Sequence, residues 1–126
     1  MNIRKPVLSA LLVFAAIAAH ALDIKPYTAA ALAQAQKAGQ PVALHFHADW
    51  CPTCRAQEKV LQGLKSEPSL DLTVLVANYD SEKELKRRFN IRAQSTLVVL
   101  RGEKETYRMV GDTSPGGIRI ALKSAL

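Results

Sequence analysis

The chain has 126 residues, a net charge of +6, 48% hydrophobic residues and 22% charged ones. That is enough for one small domain of ordinary globular make-up. The positive charges are scattered, and the one run, Lys86-Arg87-Arg88, falls on an expected helix with no aromatic residues interleaved. The basic excess therefore reads as solvated surface, and a nucleic-acid partner is not expected.

At the N-terminus, Arg4 and Lys5 precede an apolar run from Val7 to Ala19 that is broken only by Ser9. Ala19-His20-Ala21 then puts small residues at both positions a signal peptidase reads, which is the layout of a secretory signal peptide. The run is about 13 residues, short of the ~20 that a spanning helix needs; an uncleaved anchor is the alternative. Residues 1–21 are expected to be a signal peptide cleaved after Ala21, and residues 22–126 the working domain. That domain would act in an oxidising compartment, with a bacterial periplasm as the best fit.

Leu22 to Tyr27 is a lead-in, and Pro26 argues against a central strand there. Thr28 is a candidate N-cap for an alanine-rich helix over 29–37, which Gly39 stops. Residues 42–47 read as a buried strand. Pro52 to about Lys65 is a helix with Val60, Leu61 and Leu64 on its apolar stripe. Pro68 marks a turn, and residues 72–79 read as a strand covered on both faces. Asp80 or Ser81 caps a helix reaching about Phe89, and residues 90–95 form a loop. A third strand covers 96–100, a turn lies near Gly102, and a fourth strand covers about 106–110. Gly111 and Asp112 end it. Ser114 and Pro115 open a last helix whose apolar positions are Ile118, Ile120, Ala121 and Leu122. Strands joined through helices should be parallel with right-handed crossovers, and the last two antiparallel. The expectation is an α/β fold: a mixed central sheet of at least four strands with helices on both faces.

Cys51 and Cys54 are the only cysteines in the chain, and they stand where the first strand meets its helix. Pro52 suits the first helical position, where a missing N–H costs nothing. The N–H groups of that turn carry partial positive charge, Arg55 adds a cation nearby, and a Cys in such a place becomes a nucleophilic thiolate. Cys54, one turn on, is placed to attack a mixed disulfide on Cys51. Two other readings stay open: half of a zinc site, although a second C-x-x-C is absent, and a passive disulfide, which would staple very little chain.

Ala48-Asp49-Trp50-Cys51-Pro52-Thr53-Cys54, Asn78-Tyr79-Asp80, Phe89-Asn90-Ile91-Arg92, Ser95-Thr96-Leu97 and Gly111 together resemble the thioredoxin family, at its spacing from the first Cys to that glycine. The resemblance covers nearly all of residues 22–126. It implies a thioredoxin fold, disulfide exchange with protein thiols and no cofactor. It also implies Cys51 as attacking and Cys54 as resolving residue. Many secreted members are bacterial thiol–disulfide oxidoreductases kept reduced by a membrane-bound electron donor.

The chain departs from the family at five positions. Ser95 stands where the family has a proline facing the dithiol. A trans loop over 93–96 is expected, because a cis bond before a non-proline residue costs about 2.5–4 kcal/mol. Restoring proline at Ser95 is expected to bring back ordinary family behaviour. Trp50, Ser95 and Thr96 are the expected substrate-loop residues, Trp50 as an exposed platform. His45 stands where the family often buries an acid, and Val76 where that acid has a lysine partner. His45 is thus a candidate for proton transfer to and from Cys54, since imidazole titrates near neutrality. His47 replaces a family aromatic, and it shares a strand face with His45. Lys59 replaces a mid-helix proline, so the helix should be less kinked.

The reading is a periplasmic thiol–disulfide oxidoreductase acting on protein disulfides, as a reductase, and as a monomer. Two alternatives come from other classes. One is a zinc or copper protein using Cys51, Cys54, His45 and His47 as ligands. The other is a thioredoxin-like interaction module without turnover.

Overall fold

The computed structural model describes Leu12, Val13 and residues 21–126. Apart from Leu12, Val13 and Ala21, the expected signal peptide lies outside the described residues. Among the described residues no helix is long and apolar enough to cross a membrane.

In chain order the elements are β1 (Asp23–Pro26), α1 (Ala29–Lys37), β2 (Pro41–His47), α2 (Pro52–Leu64), β3 (Thr73–Asn78), α3 (Lys83–Arg88), β4 (Thr96–Arg101), β5 (Lys104–Val110) and α4 (Pro115–Lys123). They build one five-stranded sheet in the order β1-β3-β2-β4-β5. β1, β3 and β2 are parallel, β4 runs antiparallel to β2, and β5 antiparallel to β4. The lead-in is thus a fifth strand. It sits at the sheet edge, where a proline is tolerated because its missing N–H faces no partner strand.

β2 is the centre of the sheet, and its side chains alternate between two layers, as a period of two requires. Val42, Leu44 and Phe46 pack with Leu32 of α1, Leu85 of α3, and Leu75, Val98 and Leu100 of the sheet. Ala43 faces the other way, among Leu61 and Leu64 of α2 and Ile118, Ala121 and Leu122 of α4. Helices therefore cover both faces. Leu44, Phe46 and Leu61 are fully buried, each worth on the order of 1.5–3 kcal/mol. A one-residue slip of β2 would turn these side chains to the wrong layer, so the register is fixed. That register turns His45 and His47 towards α2.

Three expectations need correction. β3 and β4 are joined through a helix, yet they are not parallel. α3 has six residues, about 9 Å of helix, whereas a strand of β3's six residues runs about 20 Å. The segment between them cannot carry the chain back along the sheet. β4 therefore starts at the end where β3 stops, with Thr96 paired to Phe46. The cap of α3 is Glu82, without a side-chain bond, and not Asp80 or Ser81. The Asn78 carboxamide oxygen accepts from the backbone N–H groups of Asp80 (2.9 Å) and Ser81 (3.2 Å), forming an Asx turn that delays the helix. β5 begins at Lys104, because the turn before it closes tightly on Gly102 at φ +58°, a conformation glycine adopts without steric cost. The other expected caps stand: Thr28 accepts from Ala31 N–H at 3.0 Å and Ser114 from Gly117 N–H at 3.1 Å. α2 runs unbroken through Lys59.

Candidate active site

The centre of the site is the N-terminus of α2. Cys51 is its N-cap, with extended backbone (φ −93°, ψ 112°), and Pro52 follows in the first turn. The Cys51 Sγ accepts from the backbone N–H of Cys54 at 3.1 Å, the place where a capping oxygen would sit. Both thiols are free and buried.

The two sulfurs are not equivalent. Burial by itself would push the Cys51 thiol up. Hydrogen bonds from the Cys54 thiol, from Ser95 and from the backbone of Cys54 and Thr53 outweigh it and hold Cys51 below the usual thiol value. Cys54 is pushed up by burial and by its bond to Cys51, with Ser95 and the Ala48 backbone opposing. Arg55 takes no part: its Nη1 donates to the carbonyl of Asp49 at 2.8 Å. The helix terminus and the neighbouring hydrogen bonds, not a cation, tune the Cys51 thiol.

Ser95 lies opposite the pair. Its Oγ is 3.3 Å from Cys51 Sγ and 3.3 Å from Cys54 Sγ. Its backbone is in the left-handed region at φ +63°, which costs a residue with a Cβ about 1–2 kcal/mol. Three contacts hold it there. Ser95 N–H donates to Phe46 O, and its carbonyl accepts from Gly111 N–H, both at 3.0 Å. The same carbonyl accepts from Gln57 Nε2 at 3.0 Å. Gly111 can give that bond because it too turns at positive φ, +76°. No peptide bond among the described residues is cis. The backbone N–H and carbonyl of Ser95 are both used within the fold. Thr96, buried at the start of β4, turns its Oγ1 to the Ala93 carbonyl at 2.7 Å and so braces the loop.

His45 is not placed for the expected exchange with Cys54. Its Nε2 is 2.9 Å from Gln57 Oε1, and it makes no hydrogen bond to either sulfur. The Gln57 amide nitrogen donates to two carbonyls, Ser95 O and Asp112 O (2.9 Å), so its oxygen must face the imidazole. That makes His45 Nε2 the donor and Nδ1 the bare nitrogen, buried without a partner. Burial lowers the His45 pKa to about 4, the Gln57 bond opposing and His47 assisting. His45 is therefore a neutral ring at pH 7 with little basicity. His47 points to Asp49 (3.0 Å) and Glu58 (3.8 Å). Both histidines are thus engaged by α2 and the turn before it, His45 by Gln57 and His47 by Asp49 and Glu58. Among the described residues no three His, Cys, Asp or Glu side chains are grouped to hold an ion.

Trp50 is 57% exposed, so packing does not explain it. Its Nε1 donates to Asp80 Oδ2 at 2.8 Å, which fixes an aromatic surface beside Cys51. Sequence reasoning missed Gln57 and Asp80. Gln57 had a signal: it falls on the buried stripe of α2 with Cys54, Leu61 and Leu64, and a polar residue on an apolar stripe needs partners.

Comparison with known proteins gives the same picture. The thioredoxin family profile matches residues 24–124. A crystal structure of Trxlp from Edwardsiella tarda is 40% identical with a TM-score of 0.75, covering 79% of this chain and 98% of that one. Thioredoxin from Mycobacterium tuberculosis is 32% identical over 72 residues, 57% of this chain and 62% of that protein. Thiol:disulfide interchange protein DsbD 2 from Pseudomonas aeruginosa is 34% identical over 96 residues, 68% of this chain and 16% of that protein. The chain thus spans less than two thirds of either of these last two relatives. With the fold, the Cys51–Cys54 pair at the head of α2 and the profile match over residues 24–124, the chain belongs to the thioredoxin family.

Proposed function

We propose that the protein is a periplasmic thiol–disulfide oxidoreductase that reduces disulfides in other proteins, as a monomer resupplied by a membrane-bound electron donor. The observation that carries the chemistry is the inequivalence of the two sulfurs: Cys51 Sγ caps the helix and accepts the Cys54 N–H at 3.1 Å, whereas Cys54 lies fully buried one turn on, an arrangement that lowers the first thiol and raises the second. The Cys51 thiolate attacks a substrate disulfide and forms a mixed disulfide. Cys54 then attacks Cys51 Sγ, closes the internal disulfide and releases the reduced substrate. Trp50 offers the substrate an aromatic face next to Cys51. The signal-like features of residues 1–21 support export. The thioredoxin and DsbD 2 relatives support the reducing direction.

Expression of the full gene in a bacterium tests this. The protein should be recovered from the periplasmic fraction beginning at Leu22. Its Cys51 should alkylate faster than Cys54 at neutral pH, and the pair should equilibrate near −270 mV; a value near −120 mV would instead mark an oxidant. Faster alkylation of Cys54 would reverse the assigned roles.

A further inference from the structure

Among the described residues the one side-chain oxygen hydrogen-bonded to either sulfur is Ser95 Oγ, and it lies 3.3 Å from both. Ser95, Cys51 and Cys54 are all buried. The charged and titratable side chains on the surrounding elements are engaged elsewhere. His45 faces Gln57, and His47 faces Asp49 and Glu58. Asp80 holds Trp50, the Asp112 carboxylate accepts from Ser114 N–H, and Arg55 holds the Asp49 carbonyl. A thiolate at Cys51 can only accept, so the single proton of the Ser95 hydroxyl is directed to it. The disulfide changes that balance. Once Cys51 Sγ is bonded to Cys54 Sγ it carries no charge, and a neutral sulfur is a weak acceptor. The same hydroxyl thus meets a charged sulfur in the reduced protein and neutral ones in the oxidised protein. A hydrogen bond to an ionised group is roughly twice as strong as a neutral one, and stronger again in a buried site than in water.

Building on the oxidoreductase reading above, we propose that Ser95 sets the reduction potential of the Cys51–Cys54 pair: its hydroxyl stabilises the Cys51 thiolate more than the disulfide, and so raises the potential. The exchange with oxidised glutathione shows the sense of the effect. The Cys51 thiolate and the Cys54 thiol join through one S–S bond and give up two electrons. Oxidised glutathione takes those electrons, its S–S bond breaks, and it leaves as two thiols. One of their protons comes from Cys54 and the other from solvent. A hydrogen bond that favours the thiolate draws this reaction back, and a pair whose reduced form is more stable is the stronger oxidant. Ser95 thus moderates the reducing power of the pair. Its left-handed backbone makes this possible. The contacts with Phe46, Gly111 and Gln57 hold main-chain groups of Ser95 and leave its hydroxyl free for the sulfurs.

The test compares wild type, Ser95→Ala and Ser95→Gly in two measurements. One is the equilibrium of the pair with a series of reduced and oxidised glutathione. The other is the pH dependence of Cys51 alkylation, followed by mass spectrometry. At a pH where Cys51 is ionised, both variants should shift the glutathione equilibrium about tenfold towards the disulfide, the lower end of what a hydrogen bond to a charged group contributes. That tenfold lowers the potential by about 30 mV. The midpoint of Cys51 alkylation should rise by about one pH unit, the same tenfold. The gap in potential should narrow at a pH low enough to protonate Cys51 in all three proteins, because a thiol draws less on the hydroxyl. Ser95→Gly tolerates φ +63° without a Cβ, so it carries the test even if strain prevents the alanine variant from folding. An unchanged potential in a folded variant overturns the proposal. So does a lowered potential with an unmoved alkylation midpoint, or a gap that is equal at the two pH values. Wild-type protein that shows no reversible exchange with glutathione overturns the oxidoreductase reading itself, an outcome distinct from proteins that all exchange at one potential.

Discussion

At the scale of single residues, the site turns on a serine whose backbone could not be read from its side chain. Ser95 was visible in the sequence as the residue standing in for a family proline, and that comparison makes restoring proline look like a simple repair. The backbone says otherwise. Proline fixes φ near −65°, whereas Ser95 sits at +63°, and proline has no N–H to give to Phe46 O. Ser95→Pro should therefore lose about 2–3 kcal/mol, combining a forced change of backbone region with a buried carbonyl deprived of its donor. Urea denaturation of the reduced protein measures this, and a midpoint equal to that of the wild type would show that the loop can swing to a proline-compatible shape at no cost. The placement of Cys51 and Cys54 at the head of α2 was legible, because it depends on spacing along one helix. The fates of Arg55 and His45 were not, because each depends on a partner distant in space or on a carbonyl that no side-chain pattern reveals.

At the scale of elements, α2 does two jobs through one stripe. Leu61 and Leu64 seat it on the sheet, and Gln57, on the same stripe, ties β2, the Ser95 loop and the segment after β5 together. Gln57→Leu keeps the volume but removes three hydrogen bonds at once, leaving the His45 N–H and the Asp112 carbonyl short of partners while Ser95 O keeps Gly111. At about 1–3 kcal/mol for an unsatisfied buried group, the buried His45 N–H sets the expected loss at about 1–3 kcal/mol, read from the urea midpoint, since Asp112 is exposed and water can replace its partner. A loss no greater than that of an exposed control such as Gln62→Leu would mean that the network carries no net stability. Helix and strand positions were legible because apolar spacing encodes them. The direction of β4 was not, since it depends on whether the intervening helix is long enough to return along the sheet.

At the scale of the whole molecule, the two buried layers fix β2 so firmly that an imidazole is carried into the interior with them. Its consequence is a pH dependence of stability. His45 has an ordinary pKa of 6.5 and a folded value of about 4, so between those values the unfolded chain binds a proton that the folded chain refuses. Stability must then rise with pH across that window. It is complete above about pH 6.5, falls as the pH drops, and levels off below about 4. The depth is roughly 3 kcal/mol, from about 1.36 kcal/mol per pH unit. Glu67 and Asp112, held low by Arg119 and by Ser114, add a loss in the same direction, but below their ordinary values of 4.5 and 3.8, so the two windows barely overlap. Urea midpoints in the wild type should hold from pH 7.5 to about 6.5 and then fall down to pH 4.5. In His45→Gln, whose amide can still donate to Gln57 but does not titrate, the same series should be nearly flat. A wild-type series as flat as the variant would mean that His45 takes up its proton in the folded state, and that the unpartnered Nδ1 finds an acceptor when charged.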